Sequence, residues 1–453
     1  MTVGVFKAYD IRGVYPTEID EKLAWKIGAG LVKLLAAKKL VVGRDMRKSA
    51  PSIQQAVIDG ITAHGCDVVD IGLVSTPMAY FGIGSLASDG GLTTTASHNP
   101  PQYIGAKICR AGAVPMSKDT GIGELERMAK GELAPPPGTR RGSVTAVDIR
   151  ADYQRHLRRF MQPWPGLKVV VDTANGMGGL EVPLVLEGAG LDWSGLFLEV
   201  DGTFPNHEAN PLVDQNIVDL RREVVARKAH VGFAFDGDAD RCCAVDEKGE
   251  RIGSDLLTAL LAREFLAREK GAGIVYDLRA SRVLPEDIAA RGGRPLRERV
   301  GHSFIKATMR RENAPFAGEL SGHFYFRDHY FSDCGTLAMV HTLNVMARER
   351  KPLSQLIAPF RKYCSTGELN FEVHDADAKL AELRDAYAKG GAGLKPLSSD
   401  ELDGLSVVFQ DFWFNVRKSN TEPLLRLMLE ARTPELLAAK RTEVVARIGG
   451  RAH

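Results

Sequence analysis

Lys168-Val169-Val170-Val171-Asp172, followed two residues later by Asn175-Gly176-Met177-Gly178-Gly179, reads as a short β-branched strand running into a glycine-rich turn. The glycines are not spaced as G-x-G-x-x-G, so the turn is a tight strand-to-helix connection rather than a nucleotide loop. Similar runs recur on both sides. Leu40-Val41-Val42-Gly43 and Asp67-Val68-Val69-Asp70-Ile71-Gly72 precede it; His230-Val231-Gly232-Phe233-Ala234-Phe235 and Gly273-Ile274-Val275-Tyr276-Asp277 follow. Between them, Leu23 to Leu35 and Ser254 to Glu269 carry apolar residues near helical spacing. Strands alternating with helices predict α/β domains with mostly parallel sheets.

A chain of 453 residues exceeds one hydrophobic core, which stops growing near ~250–300 residues, and length alone suggests about three domains. Pro135-Pro136-Pro137-Gly138 marks a linker, followed by a helical stretch from Val147 to Arg159. Its arginines, Arg150, Arg155, Arg158 and Arg159, read as a solvated face. Gly390-Gly391-Ala392-Gly393 interrupts a region from Phe371 onward with fewer βαβ signals, read as a smaller C-terminal α+β domain. The balance of 59 basic and 57 acidic residues argues against a nucleic-acid binder and against a disordered chain. The segment Met1 to Gly13 has no signal-peptide pattern. The most apolar run, Leu31 to Ala37, is broken by Lys33, so no membrane span is expected. Six cysteines are too sparse for a disulfide framework and read as reduced thiols. A cytoplasmic protein is expected.

Four loops offer chemistry. In Thr93-Thr94-Thr95-Ala96-Ser97-His98-Asn99-Pro100-Pro101, a hydroxyl-rich loop stopped by two prolines offers Ser97 as a nucleophile beside His98. The competing reading is an ordinary Ser/Asn/Pro turn. No G-x-S-x-G elbow surrounds Ser97, which argues against an acyl-transfer hydrolase. Asp236-Gly237-Asp238-Ala239-Asp240-Arg241 places three carboxylates at alternate positions, able to curl around one hard cation. An EF-hand is the nearest alternative, since Glu247 falls at its twelfth position. Arg241 stands where that loop needs glycine, however, and the flanks read as strands. A three-carboxylate site with open positions suits Mg²⁺ and a phosphate oxygen, with Arg241 beside the same phosphate; the bland alternative is a solvated acidic turn. Arg417-Lys418-Ser419-Asn420-Thr421-Glu422 is either a phosphate cradle or, through Ser419-x-x-Glu422, a helix capping box. Gly318-Glu319-Leu320-Ser321-Gly322-His323 offers a carboxylate, a hydroxyl and an imidazole for a sugar or a metal, or is simply a polar turn.

Taken in order along nearly the whole chain, these motifs resemble the α-D-phosphohexomutase superfamily, in particular its bacterial phosphomannomutase/phosphoglucomutase branch. Lys7-Ala8-Tyr9-Asp10-Ile11-Arg12-Gly13 resembles its opening signature and Asp201-Gly202-Thr203-Phe204-Pro205-Asn206-His207 another family stretch. The resemblance implies three related α/β domains with mixed sheets plus a smaller C-terminal α+β domain around a central cleft, with boundaries near 150, 253 and 366. It implies that phosphorylated Ser97 exchanges a phosphoryl group with a hexose 1-phosphate or 6-phosphate through a hexose 1,6-bisphosphate, which also serves as activator. Mg²⁺ would be bound by Ser97, Asp236, Asp238 and Asp240. Lys107 is implied as general acid/base, with Arg12, His98 and His323 assisting, and cationic neighbours are expected to lower the Lys107 pKa. Tyr9, Arg241, Arg279, His302, Glu319, Ser321, Arg417, Ser419, Asn420 and Thr421 are the implied substrate contacts. Glu319 and Ser321 would read O3 and O4, which mannose and glucose share. Two departures bear on the balance between those sugars: the branch usually has Asn at Ile104 and often Lys at Arg279. The expected partner is a phosphosugar, with neither nucleic acid nor membrane, and a monomer is expected, with a dimer as the alternative. Competing functions are a phosphoglucosamine mutase, a metal-dependent sugar phosphatase and a non-catalytic sugar-phosphate binder.

Overall fold

The structure, a computed structural model, describes residues 4–389, 395–419 and 424–452. Four sheets follow one another along the chain, one more than length alone suggested. The first has Lys39–Arg44 at its centre, parallel to Asp67–Leu73 and Gly90–Thr94, while Tyr103–Arg110 and Ile11–Val14 add antiparallel strands at one edge. In the second, Val231–Phe235 and Lys168–Asp172 run parallel to each other and Lys168–Asp172 to Asp192–Leu196, with Cys242–Asp246 antiparallel at the edge. The third repeats this plan, with Gly273–Asp277 parallel to Arg294–Glu298 and Phe316–Gly318, then Phe324–Phe326 and Ser332–Asp333 antiparallel. These sheets are mixed rather than mostly parallel, because a short polar loop turns the chain straight back after Gly90–Thr94, Val231–Phe235 and Phe316–Gly318, leaving no room for a crossover helix.

The fourth sheet is antiparallel throughout and carries the helices Ala376–Leu383 and Pro434–Ile448. The break at Gly390 to Gly393 lies outside the described residues. The proline-rich linker leads into a strand, Val144–Ala146, which returns to the first sheet beside Asp67–Leu73, so the following helix starts at Arg150 and not at Val147. Its arginine face is only partly a solvated one: Arg158 bonds the carbonyls of Leu184 and Glu187, and Arg159 that of Asp328. The cysteines are free thiols, Cys364 half-buried and the others buried. No helix among the described residues is long and apolar enough to cross a membrane.

Apolar packing divides the molecule unevenly. One core runs without interruption from Val41 and the helix Thr76–Ser85 through the second sheet to Phe360. The C-terminal sheet has its own core, from Phe371 to Ile448. It meets the third sheet through polar contacts: Arg297 to Asp400, the Arg282 backbone N–H to Glu430, and Arg279 to Glu368.

Candidate active site

The chemistry-bearing loops all leave the C-terminal ends of strands, where open α/β sheets present a crevice. The chain from Gly90–Thr94 enters the Ser97 loop, that from Val231–Phe235 the Asp236 loop, and that from Phe316–Gly318 the Glu319 loop. Backbone bonds fasten the loops together. Arg241 bridges His323 as an isolated antiparallel pair, Cys242 N–H donates to Gly322 O at 3.0 Å, and Thr76 N–H donates to Asp238 O at 3.0 Å.

Ser97 is buried and has φ +50°, a left-handed conformation that costs a non-glycine residue about 1–2 kcal/mol. Its Oγ donates to Asp236 Oδ2 at 3.0 Å and lies 3.3 Å from His98 Nδ1. Gly237 allows this approach, since a Cβ there would stand 2.5 Å from Ser97 O. Burial and the cations Arg241 and Arg12 hold the His98 imidazole well below its usual range, hence neutral. Arg12 bonds Asp10 and the Asn99 side chain.

Asp236, Asp238 and Asp240 are fully buried, and one carboxylate oxygen from each falls within a 4.8 Å cluster. Lys107 donates to Asp238 Oδ2 at 2.7 Å and also to Asp240, while Asp238 Oδ1 is buried without a hydrogen-bond partner. Three clustered carboxylates with an orphaned oxygen fit a hard cation. Lys107 already supplies one positive charge; burial disfavours its charged form, but Asp238 and Asp240 outweigh it and raise the pKa. This corrects the expectation of a lysine lowered by cationic neighbours, because its nearest neighbours are carboxylates. Asp236 is pushed well up, by burial and then by Asp240 and Asp238. For Asp240, burial is outweighed by Lys107 and His323, and it is held well down.

His323 joins this cluster to the Glu319 loop. Its Nε2 lies 3.3 Å from Asp240 Oδ1 and its Nδ1 3.3 Å from Glu319 Oε2, with Ser321 Oγ 2.8 Å from the same nitrogen. Burial opposes its charge, yet Asp240 raises it to about 9. Glu319 also accepts from Tyr325 at 2.8 Å and lies 3.7 Å from Arg279. Arg279 forks onto Asp277, both bonds 3.0 Å, and reaches Glu368 at 3.5 Å. Arg417 meets the same carboxylate at 2.9 Å. Alternating charges therefore run from Arg417 through Glu368, Arg279, Glu319, His323 and Asp240 to Lys107. Tyr9 sits over His302, ring centroids 5.5 Å apart, and donates to Val300 O at 3.2 Å. Burial, Lys306 and Lys107 depress His302 to about 3.

The structure thus brings together Ser97, His98, Arg12, Lys107, the three aspartates, Arg241, His323, Glu319 and Ser321. Arg279 and Arg417 form a second cationic group further along. Ser419 follows the strand Phe412–Lys418 and its N–H donates to Leu424 O, which opens another strand; Glu422 of the capping-box reading lies outside the described residues. Asn420 and Thr421 lie outside the described residues. Sequence reasoning passed over Arg47. This buried guanidinium donates to the carbonyls of Ser97, Asn99, Pro100 and Tyr103 at 2.7–3.0 Å and pairs with Asp45 at 3.3 Å. The signal available was Gly43-Arg44-Asp45-Met46-Arg47, a charged turn directly after an apolar strand.

Family models for phosphoglucomutase/phosphomannomutase match four segments: α/β/α domain I over residues 4–133, domain II over 151–249, domain III over 253–363, and the C-terminal domain over 368–447. The chain is 36% identical to a phosphomannomutase of Salmonella montevideo over 98% of both chains. It is 37% identical to a phosphohexose mutase of Xanthomonas campestris over 99% of both. A crystal structure of a phosphoglucomutase/phosphomannomutase family protein from Burkholderia thailandensis superposes with a TM-score of 0.90 at 33% identity, over 99% of this chain and 98% of that one. An Aspergillus fumigatus N-acetylphosphoglucosamine mutase shares the fold, with a TM-score of 0.64 at 13% identity, over 97% of this chain and 94% of that one.

Proposed function

The chain belongs to the phosphoglucomutase/phosphomannomutase family, and from that premise we propose how it acts: as a phosphohexomutase, an isomerase that interconverts hexose 1-phosphate and 6-phosphate, of mannose and also of glucose, through a phosphoserine and a hexose 1,6-bisphosphate. One observation carries the reading. A nucleophile beside a buried carboxylate triad stands at one end of the run of alternating charges, and a separate guanidinium group, Arg279 with Arg417, stands at the other. A phosphatase needs only the first; a mutase must hold a second phosphate while the first is transferred.

In this reading phosphorylated Ser97 gives its phosphoryl group to a sugar hydroxyl, the bisphosphate reverses in the cleft, and the other phosphate returns to Ser97 Oγ. Asp236, Asp238, Asp240 and the phosphorylated Ser97 would hold Mg²⁺, which when bound offsets charge on the transferring group. Hexose 1,6-bisphosphate would restore the phosphoserine. Neutral His98, 3.3 Å from Ser97 Oγ, can take the proton of the attacking sugar hydroxyl and return it to Ser97 Oγ as that oxygen is released, while Lys107, Arg12 and His323 stand as cations able to steady anionic oxygens. Glu319 and Ser321 are assigned to the sugar hydroxyls, and Tyr9, Arg241, Arg279, His302, Arg417, Ser419, Asn420 and Thr421 to sugar and phosphate. The four matched segments support domains of 1–150, 151–253, 254–366 and 367–453.

Ser97→Ala is expected to abolish interconversion of mannose 1-phosphate and mannose 6-phosphate and to prevent labelling of the protein by bisphosphate. Undiminished turnover would overturn the mutase reading. Steady release of inorganic phosphate without a bisphosphate requirement would indicate a phosphatase instead. Comparing mannose, glucose and N-acetylglucosamine 1-phosphates as substrates separates the phosphoglucosamine alternative.

A further inference from the structure

Glu368 lies on the strand Cys364–Glu372, which leads into the C-terminal sheet. Its carboxylate takes three guanidinium groups from two different sheets. Oε2 accepts from Arg417 at 2.9 Å and pairs with Arg279 at 3.5 Å, and Oε1 accepts from Arg426 at 3.1 Å. The three cations are unequally compensated. Arg279 is also forked onto Asp277 and lies 3.7 Å from Glu319. For Arg417, whose side chain is 3% exposed, Glu368 is the only carboxylate within ion-pair distance among the described residues, and Arg417 Nε is buried without a hydrogen-bond partner. The cluster can therefore accept a second anion or a more highly charged one. A phosphate dianion presents the same fork-matching oxygens as a carboxylate, with more charge and more acceptors. It would compete with Glu368 for the same Nη donors.

We propose that Glu368 is an internal competitor for the phosphate that is held while the other is transferred, occupying the arginine group between visits and weakening phosphate binding there. This rests on the mutase reading above, and it addresses a difficulty specific to that reaction. The bisphosphate must let go of the arginine group with one phosphate and return with the other. Affinity shared equally by every bound state does not speed the chemical step, and excess affinity would slow the reversal. A carboxylate that refills the site as phosphate leaves offsets the exposed positive charge and lowers the barrier to release. It also keeps the C-terminal sheet joined to Arg279 of the third sheet while the cleft is empty.

The test is calorimetric titration of inorganic phosphate, and of glucose 1,6-bisphosphate, into the full-length protein and its Glu368→Gln and Glu368→Asp variants at fixed ionic strength, with steady-state kinetics alongside. Glu368→Gln keeps the shape and removes the charge. It is expected to bind phosphate tighter by on the order of tenfold, from the loss of a like charge at close range. KM should fall and kcat should fall with it, because release becomes slower, while Glu368→Asp stays near the parent. Unchanged or weaker phosphate binding by Glu368→Gln would overturn the proposal and make Glu368 a scaffold that aligns the arginines. If Glu368→Gln does not fold, the smaller neutral Glu368→Ser must show the same tightening. Absence of phosphate binding in the parent and all variants would overturn the phosphate-group reading as well as this one; equal binding in all of them overturns this one alone.

Discussion

At Arg47 one guanidinium shapes the loop that presents Ser97. Four carbonyls converge on its two Nη groups, and Asp45 stands behind as its ion-pair partner at 3.3 Å. Lysine keeps the charge but has no planar fork to reach four acceptors. Arg47→Lys is expected to reduce kcat at least tenfold with a smaller effect on KM, since the loop's left-handed Ser97 is no longer pinned; parent-like kcat would show that the loop holds itself. Lys107 acts on the aspartates in a comparable way. Lys107→Gln leaves the buried carboxylates of Asp238 and Asp240 without their ammonium, a change of the kind that costs about 3–5 kcal/mol. Melting curves should show a lowered Tm without divalent cation and a larger rise on adding Mg²⁺ than in the parent, by linkage. Residues of this scale divide sharply in how far they could be read. The serine, aspartate and Glu319 loops were legible because their chemistry is contiguous, several polar groups within six residues between strands. Arg47 and Glu368 were not, since a lone charged residue acquires its meaning from carbonyls or guanidiniums about 50 or more positions away. The environment of Lys107 was misjudged for the same reason: sequence shows that cations and carboxylates exist, not which stand nearest.

Among the elements, the helix Thr76–Ser85 does more than pack. Ser75 caps it by accepting from Met78 N–H at 3.1 Å, and Thr76 Oγ1 in its first turn donates to Asp238 Oδ2 at 2.6 Å. A helix of the first sheet therefore helps orient an aspartate of the second. Its far side lies against a histidine pair, His156 on the helix Arg150–Arg158 and His329 on the turn Arg327–His329, whose nitrogens are 3.0 Å apart. Burial and then Arg159 depress His156 to about 4, and burial with His156 and Lys306 holds His329 well below its usual range. Both are neutral in the fold and bind protons on unfolding. Stability should therefore be intact above the unfolded value of 6.5 and decline as pH falls from there toward about 4, at up to about 1.4 kcal/mol per pH unit for each histidine. Urea unfolding across that range checks this, and His156→Gln should flatten the slope. The strands bounding each loop were legible from β-branched runs. The short return strands that make the sheets mixed were not, because two or three residues carry no periodicity.

For the whole molecule, the decisive contrast is between a core shared by three sheets and a fourth sheet joined to them by ions. Hydrophobic seams resist salt; ion pairs between partly exposed side chains, such as Arg297 (28%) with Asp400 (41%), do not. Raising ionic strength well beyond ~0.15 M, where screening acts within ~8 Å, should widen the particle in small-angle scattering; an unchanged radius would mean that the seam is held by something other than charge. Four modules were foreseeable from the order of motifs, but their unequal bonding was not, since it depends on which faces meet. That inequality also bears on how the chain can be divided. Arg361 and Lys362 are exposed and precede the strand Cys364–Glu372, so a cut between them leaves each piece a complete sheet and core. Two separately made polypeptides, one bearing the serine and the aspartate loop and the other Arg417, should then reconstitute a working enzyme on mixing, with salt acting as the dial on their affinity.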